Sequence, residues 1–387
     1  MASQKKYDVI SSEPSNPWLS GSSKLFTKEY FELLQDGVKD QGVVLHWINL
    51  YSLDLEGLKG VIASFNEVFP YVAVFVMPAY NDLVLIGTQE ASQFDFQALS
   101  ERLTVESVRN DLAKVGIKDS YEILAYFVLD DAAVDDLVEG VNPNTDNHPF
   151  VEFSAPKFLY SPVATNPWRV ILDNLSPIAS VLADPRPSAQ KSALISVAES
   201  FRRSRLLTQI HFIERNIGEG IVEGEKALEI DSDNPYLAET VSRLYFEEGS
   251  SFLNQGNYAQ AIKSFERSLE LRETPEGYVN LGLSHEGVSN FQKAKETFEA
   301  AIELDDEFEV AYFELGAVLT EIGDLNGAIE VYGCVTELNP ENTQALLSLG
   351  NLYILRSDFG RAEEYLKRVL KLDPTFEEAR ELLQAIP

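Results

Sequence analysis

Four histidines, one cysteine and a few closely spaced acids are the residues of this chain that could do chemistry, and their spacing excludes several kinds. His46, His148, His211 and His285 lie far apart, and none has cysteines or carboxylates at ligand spacing, so no metal site is predicted. Cys334 falls in a helix-patterned stretch, where a small buried hydrophobe is expected rather than a nucleophile. A single cysteine also rules out an internal disulfide. Asp146 and His148 make a pair, but they sit in a Pro-bounded turn, where packing is the expectation. Gly218-Glu219-Gly220 has the wrong spacing to Gly224 for a phosphate loop, and the glutamates around it would repel phosphate. No nucleophile elbow is present.

The elements that must position such residues come from two unlike halves. Residues 7–12 are a short apolar run ending in turn chemistry at Glu13-Pro14-Ser15-Asn16-Pro17. A helix capped by Thr27 follows to about Val38, then a buried-type strand from Gly42 to Ile48. Leu55, Leu58, Ile62, Phe65 and Val68 make Asp54 to Phe69 an amphipathic helix. Tyr71 to Val76 and Leu83 to Thr88 read as strands joined by a turn at Pro78 to Asp82. Strand, helix, strand, helix and hairpin imply an α/β sheet covered by helices. Five prolines in 161–187 predict a connector, and Ser188 to Asn216 reads as helical.

The second half is periodic. Gly249, Gly282, Gly316 and Gly350 recur every 33 or 34 residues. Tyr245, Tyr278, Tyr312 and Leu346 precede them, and Ala261, Ala294, Ala328 and Ala362 follow. Phe265, Phe298, Tyr332 and Leu366 come next at a constant offset. Small residues at facing positions let two helices approach closely while the large one fills the gap beside them, and stacked units bury what one unit cannot. These offsets resemble the tetratricopeptide family over four consecutive units, with Glu377 to Ala385 as a capping helix. Ile221 to Ile230, followed by Asn234-Pro235, reads as the second helix of a degenerate leading unit.

That resemblance implies a concave groove on the first helices, lined by Arg243, Phe246, Asn254, Glu276, Val279, Glu286, Val310, Phe313, Thr320, Glu321, Gln344, Leu347 and Asn351. The groove is apolar and acidic with one base, and it lacks the lysines and asparagines with which related arrays clamp a C-terminal carboxylate. It implies a protein or peptide partner of neutral or basic character; the alternative is that Phe246 and Phe313 are core and the groove takes the rest of this same chain. The net charge of −31 agrees, since it disfavours nucleic acid and anionic lipid. Residues 242–387 hold 12 Lys+Arg and 27 Asp+Glu, so about half of that charge lies there. No apolar run is long enough for a membrane span, so a soluble, cytoplasmic protein is expected.

Residues 7–160 resemble the spermidine synthase-like aminopropyltransferases. The resemblance is carried by Tyr7 to Trp18, Leu25 to Phe31, Gln41 to Trp47, Val68-Phe69-Pro70 and Asn144 to Phe153. It implies that Tyr7–Ser12 is the family's fourth strand, so that the chain starts halfway through the domain, without the Gly-rich cofactor loop. Glu13 and Asn16 then stand where the family has the two aspartates that deprotonate and bind the amine. A carboxylate at Glu13 keeps the reach of a base, or it is a turn-associated acid; Asn16 lacks the charge to hold an ammonium. His46 and Trp47 stand where the family lines its amine pocket, or His46 is structural.

The expected architecture is therefore a partial methyltransferase-type, Rossmann-like α/β sheet (1–160), a connector with helices (161–241) and an all-α tetratricopeptide solenoid (242–387). The expected function is a protein-interaction scaffold attached to an incomplete transferase-like module, which binds no cofactor and no metal as the chain stands. The rival expectation is a polyamine-type transferase, active once the missing half is supplied. An exposed strand edge at 7–12 would also template self-association.

Overall fold

The computed structural model describes residues 5–14, 22–50, 53–77, 82–91, 93–152, 167–183 and 188–387. The chain divides into two compact units, 1–240 and 241–387.

The first unit is built on a mixed five-stranded sheet in the order β1-β2-β4-β3-β5. β1 (Tyr7–Ser12) lies at the edge, parallel to β2 (Val38–Asn49), and α1 (Lys28–Gly37) supplies the crossover that a parallel pair requires. Thr27 caps α1 by accepting from the Tyr30 amide. α2 (Leu55–Asn66), capped by Asp54, leads into β3 (Tyr71–Val76), and β4 (Asp82–Thr88) pairs antiparallel with both β3 and β2. Most of the turn expected at 78–82 lies outside the described residues.

β2 begins four residues earlier than its apolar run. Its register against β1 slips between Tyr7↔Val38 and Val9↔Val43, so a bulge absorbs the polar residues Lys39 to Gln41. Gly42 makes the bulge close, since a Cβ there would come within 2.5 Å of the Val38 side chain. One face of the sheet is covered by α1 and α2, which pack Phe31, Leu58, Ile62 and Phe65 on Val44, Ile48, Val74 and Leu85, with Phe69 added from the turn after α2. The other face is half-open, with Val43, Leu45, Trp47, Ala73, Phe75 and Ile86 half-buried along alternating positions.

Short helices α3 (Phe96–Arg102), α4 (Glu106–Ala113) and α5 (Ser120–Leu124) precede β5 (Phe127–Leu129), and α6 (Asp131–Val138) follows it. Of the stretch expected as a connector, residues 167–183 are described, and they pack into this unit. α7 (Pro167–Asp173) buries Trp168, Ile171 and Leu172 in the core, because proline is compatible with the first turn of a helix. α8 (Ala189–Ile213) then buries two arginines against β5: Arg202 Nη1 donates to Phe127 O at 2.9 Å and Arg205 Nη2 to Ala125 O at 3.3 Å. α9 (Ile217–Ile230) closes the unit with α8.

α10 (Pro235–Asn254) begins in the first unit and runs into the second, which continues with α11 (Tyr258–Leu271), α12 (Pro275–Gly287), α13 (Phe291–Leu304), α14 (Glu309–Glu321), α15 (Leu325–Leu338), α16 (Thr343–Leu355), α17 (Phe359–Leu372) and α18 (Glu377–Ala385). The sequence offsets become contacts. A Cβ on Gly249 would sit 2.8 Å from Phe265, on Gly316 2.8 Å from Tyr332 and on Gly350 2.9 Å from Leu366. Ala261, Ala294, Ala328 and Ala362 are fully buried beside them. The turn inside each unit holds a left-handed residue in register: Gly256, Ser289, Gly323 and Ser357. Arg215, between α8 and α9, is left-handed at the same distance before Gly220 as Gly256 is before Ala261. No helix among the described residues is long and apolar enough to cross a membrane.

Candidate functional site

In the array the candidate residues separate into three kinds. Arg243, Asn254, Glu276, Val310, Glu321 and Gln344 are exposed, and Glu286, Thr320 and Asn351 are half-buried. Phe246 and Phe313 are also half-buried, each turned edge-on to the large residue of its own unit: Phe246 to Phe265 at 5.7 Å and Phe313 to Tyr332 at 5.5 Å. Both pack in part against the core of their units. Val279 and Leu347 are corrections to the expected groove. Both are buried, Val279 with Ala294 and Phe298, Leu347 with Leu366 and Val369, so neither side chain is offered to a partner.

Three carboxylates meet along the first helices of the second and third units. Burial pushes the Glu286 carboxyl above its ordinary value, and the charge of Glu321 adds to the shift. Burial pushes Glu314 up as well, with Glu286 reinforcing it. The Tyr332 hydroxyl, held to Ser348, is raised by burial and by the same glutamates. Glu314 was missed from sequence. It follows Phe313 directly, and a helical groove face is wide enough to take both neighbours. A stripe of acid next to aromatic edges attracts cations and repels anions.

In the sheet unit, Asn16 lies outside the described residues. Glu13 is exposed just after β1, and its charge raises the Asp82 carboxyl, which burial has already pushed up. Asn49 Nδ2 donates to Asp82 Oδ1 at 2.7 Å, which ties the end of β2 to the start of β4. His46 and Trp47 do not share a pocket, which corrects the expectation that both line one. Neighbouring residues of a strand point to opposite faces, so Trp47 faces the half-open side while His46 is fully buried under α1 and α2. There its ring meets Phe31 at 4.8 Å and Phe26 at 5.3 Å, and its Nδ1 lies 3.2 Å from Ser12 Oγ. Burial depresses its pKa to about 3. Asp146 and His148 are exposed in a turn, and the buried member of that motif is Asn144, whose Nδ2 donates to Phe26 O at 3.0 Å. No group of three or more potential metal ligands is present among the described residues.

Comparison with known proteins separates the chain in the same way. Residues 1–97 match the spermine/spermidine synthase domain, and 242–274, 275–308 and 319–386 match tetratricopeptide repeats. The chain joins a spermidine synthase-like stretch to tetratricopeptide repeats. The BBSome complex member BBS4 of Bos taurus is 33% identical over 121 residues, covering 31% of this chain and 23% of that protein. The protein CTR9 homolog of Arabidopsis thaliana is 35% identical over 101 residues, 25% of this chain and 9% of that one. This chain thus spans less than a quarter of the length of these relatives. Among solved structures, YrrB, a tetratricopeptide protein with an unusual peptide-binding site, aligns over 51% of this chain and 98% of its own at 20% identity and a TM-score of 0.39. Repeats of this kind make the second unit a protein-interaction scaffold.

Proposed function

We propose that the array holds a partner protein by a neutral or basic segment laid along its first helices. Glu286, Glu314 and Glu321 carry this proposal: burial and the Glu321 charge disfavour the Glu286 carboxylate, burial and the Glu286 charge disfavour that of Glu314, and a lysine or arginine side chain laid beside them relieves both. The name of one relative agrees with a protein partner, since a BBSome complex member is part of a multi-protein assembly. The proposed layout is a partial transferase-like domain at 1–160, intervening helices at 161–241 and four repeats with a capping helix at 242–387. The pair α8 and α9 reads as a degenerate leading repeat, because its left-handed Arg215 and buried Gly220 keep the array's spacing. The setting is the cytoplasm, without nucleic acid or cofactor. Fluorescence anisotropy with peptide sets matched except for charge tests the groove. Basic peptides should bind about tenfold tighter than acidic ones, and the E286Q/E314Q/E321Q variant should lose that preference. Equal binding of acidic peptides would sink the proposal.

The sheet unit is proposed to be non-catalytic by itself and to self-associate through 7–12, where Val9 and Tyr7 are exposed on an edge strand. A strictly monomeric chain in light scattering, with amides 7–12 fully protected from exchange, would contradict that. A second reading is favoured by the proximity of Glu13 and Asp82 at the end of the parallel strand pair: a transferase that works when its cofactor half is supplied. The chain alone is expected to turn over no decarboxylated S-adenosylmethionine, and turnover lost in E13Q would establish the second reading instead.

A further inference from the structure

A cavity of about 330 Å³ opens on the half-open face of the sheet. Trp47 and Phe75 wall it from the sheet, Ile117 and Tyr126 from the segment before β5, and Tyr236 closes it. Its walls are set by tight local structure. Gly116 turns the chain with a left-handed φ of 77°, and a Cβ there would come within 2.8 Å of Pro235. The Tyr126 ring is pinned by the buried Arg205 guanidinium 4.2 Å from its centre. Among the described lining residues only Asp82 is charged. It stands where β2 ends and β4 begins, and Asn49 holds one of its oxygens.

We propose that this cavity binds a monoamine, with an aromatic or aliphatic body among Trp47, Phe75, Tyr126 and Tyr236 and a single ammonium on Asp82. Aromatic faces attract an ammonium as well as burying an apolar chain. Asp82 is a carboxylate that burial and the Glu13 charge both disfavour, so a cation beside it relieves both. One carboxylate among apolar walls matches one charge. The second ammonium of a diamine would be carried into the apolar part of the cavity without a partner, which is costly. The site therefore selects against polyamines. Ile117, Tyr126 and Tyr236 lie outside the stretch that matches the synthase domain, and no part of the groove takes part, so this inference stands apart from the partner-binding proposal.

Isothermal titration of the full chain with phenethylamine tests it. The expected result is saturable binding at one site, weakened about tenfold or more when the ligand is phenethyl alcohol or when the protein is D82N. V115W, which fills the cavity, should abolish binding. Hexylamine should bind more tightly than hexamethylenediamine. No saturation by about 5 mM phenethylamine, equal affinity for the alcohol, undiminished affinity in D82N, or preference for the diamine would each overturn the proposal. The ligand comparisons use the unaltered protein, so a misfolded variant cannot mask the outcome.

Discussion

The ring of Phe298 rests against Gly282 so closely that a methyl group on that glycine would come within 2.4 Å of it. Helices α12 and α13 approach each other at that point, and the aromatic ring fills the space that the missing side chain leaves. Gly282→Ala should therefore overpack the unit and cost about 1–3 kcal/mol. Gly333, in the interior of α15, has nothing within 4 Å of where its Cβ would be. Gly333→Ala should instead stabilise the chain by about 0.5–1 kcal/mol through helix propensity. Denaturant melts that gave both changes the same sign would show that the glycines are not distinguished by packing.

Ser289 and Ser357 occupy left-handed turn positions at which two sister units carry Gly256 and Gly323. A side chain pays about 1 kcal/mol or more in that conformation. Ser289→Gly and Ser357→Gly should each raise stability by a few tenths to about 1 kcal/mol, net of the greater freedom of glycine in the unfolded chain. Gly323→Ala should lower it by a similar amount. Thermal or urea unfolding reads all three.

The groove carboxylates give the array a pH response of definite sign. Glu286 and Glu314 bind protons more tightly folded than unfolded. Their contribution is fully present below the unfolded glutamate value of 4.5 and is lost as pH rises through the raised folded values. The array should thus firm up as pH falls from neutrality towards that value, and E314Q should flatten the response. Hydrogen exchange at α14 over that range would show it, and a response unchanged in E314Q would assign it to other acids.

His46 acts in the opposite direction. Its pKa falls from 6.5 to about 3 on folding, so the unfolded chain binds the extra proton at mildly acid pH. Stability of the sheet unit should fall as pH drops below about 6.5, by about 2 kcal/mol between pH 7 and pH 5. Replacing His46 with leucine removes the titrating group and should remove that acid sensitivity, as followed by unfolding of the sheet unit at the two pH values. An equal loss in His46→Leu would place the cause elsewhere.

The repeat was legible because its signal is redundant: glycine, alanine and a large residue return together at fixed offsets, and each has one packing reason. The sheet was legible in its strands but not in their limits. β2 starts in Val38-Lys39-Asp40-Gln41, where a bulge rather than an apolar period holds the chain. Proline at 167 suggested a break, although Trp168, Ile171 and Leu172 already had the spacing of a buried helix face. Groove positions carried over from the repeat pattern took Val279 and Leu347 as lining, because offsets do not record how deeply a neighbouring helix is seated. The cavity on the half-open face had one linear signal, Trp47, which the family resemblance set in an amine pocket. Its walls come from residues 47, 75, 117, 126 and 236, which only the tertiary fold brings together.

The evenly placed left-handed residues have a genetic consequence. Deleting Asn290 to Gly323 in frame joins Ser289 to Asp324, and the junction has the same kind of residue on each side as before. Every remaining helix keeps its phase, and the hydrophobic seam closes over the gap. Unequal recombination between units can therefore shorten or lengthen this chain without crossing an unfoldable intermediate. Under such exchange the quantity that changes is the number of stacked units, and with it the length of surface that the array presents.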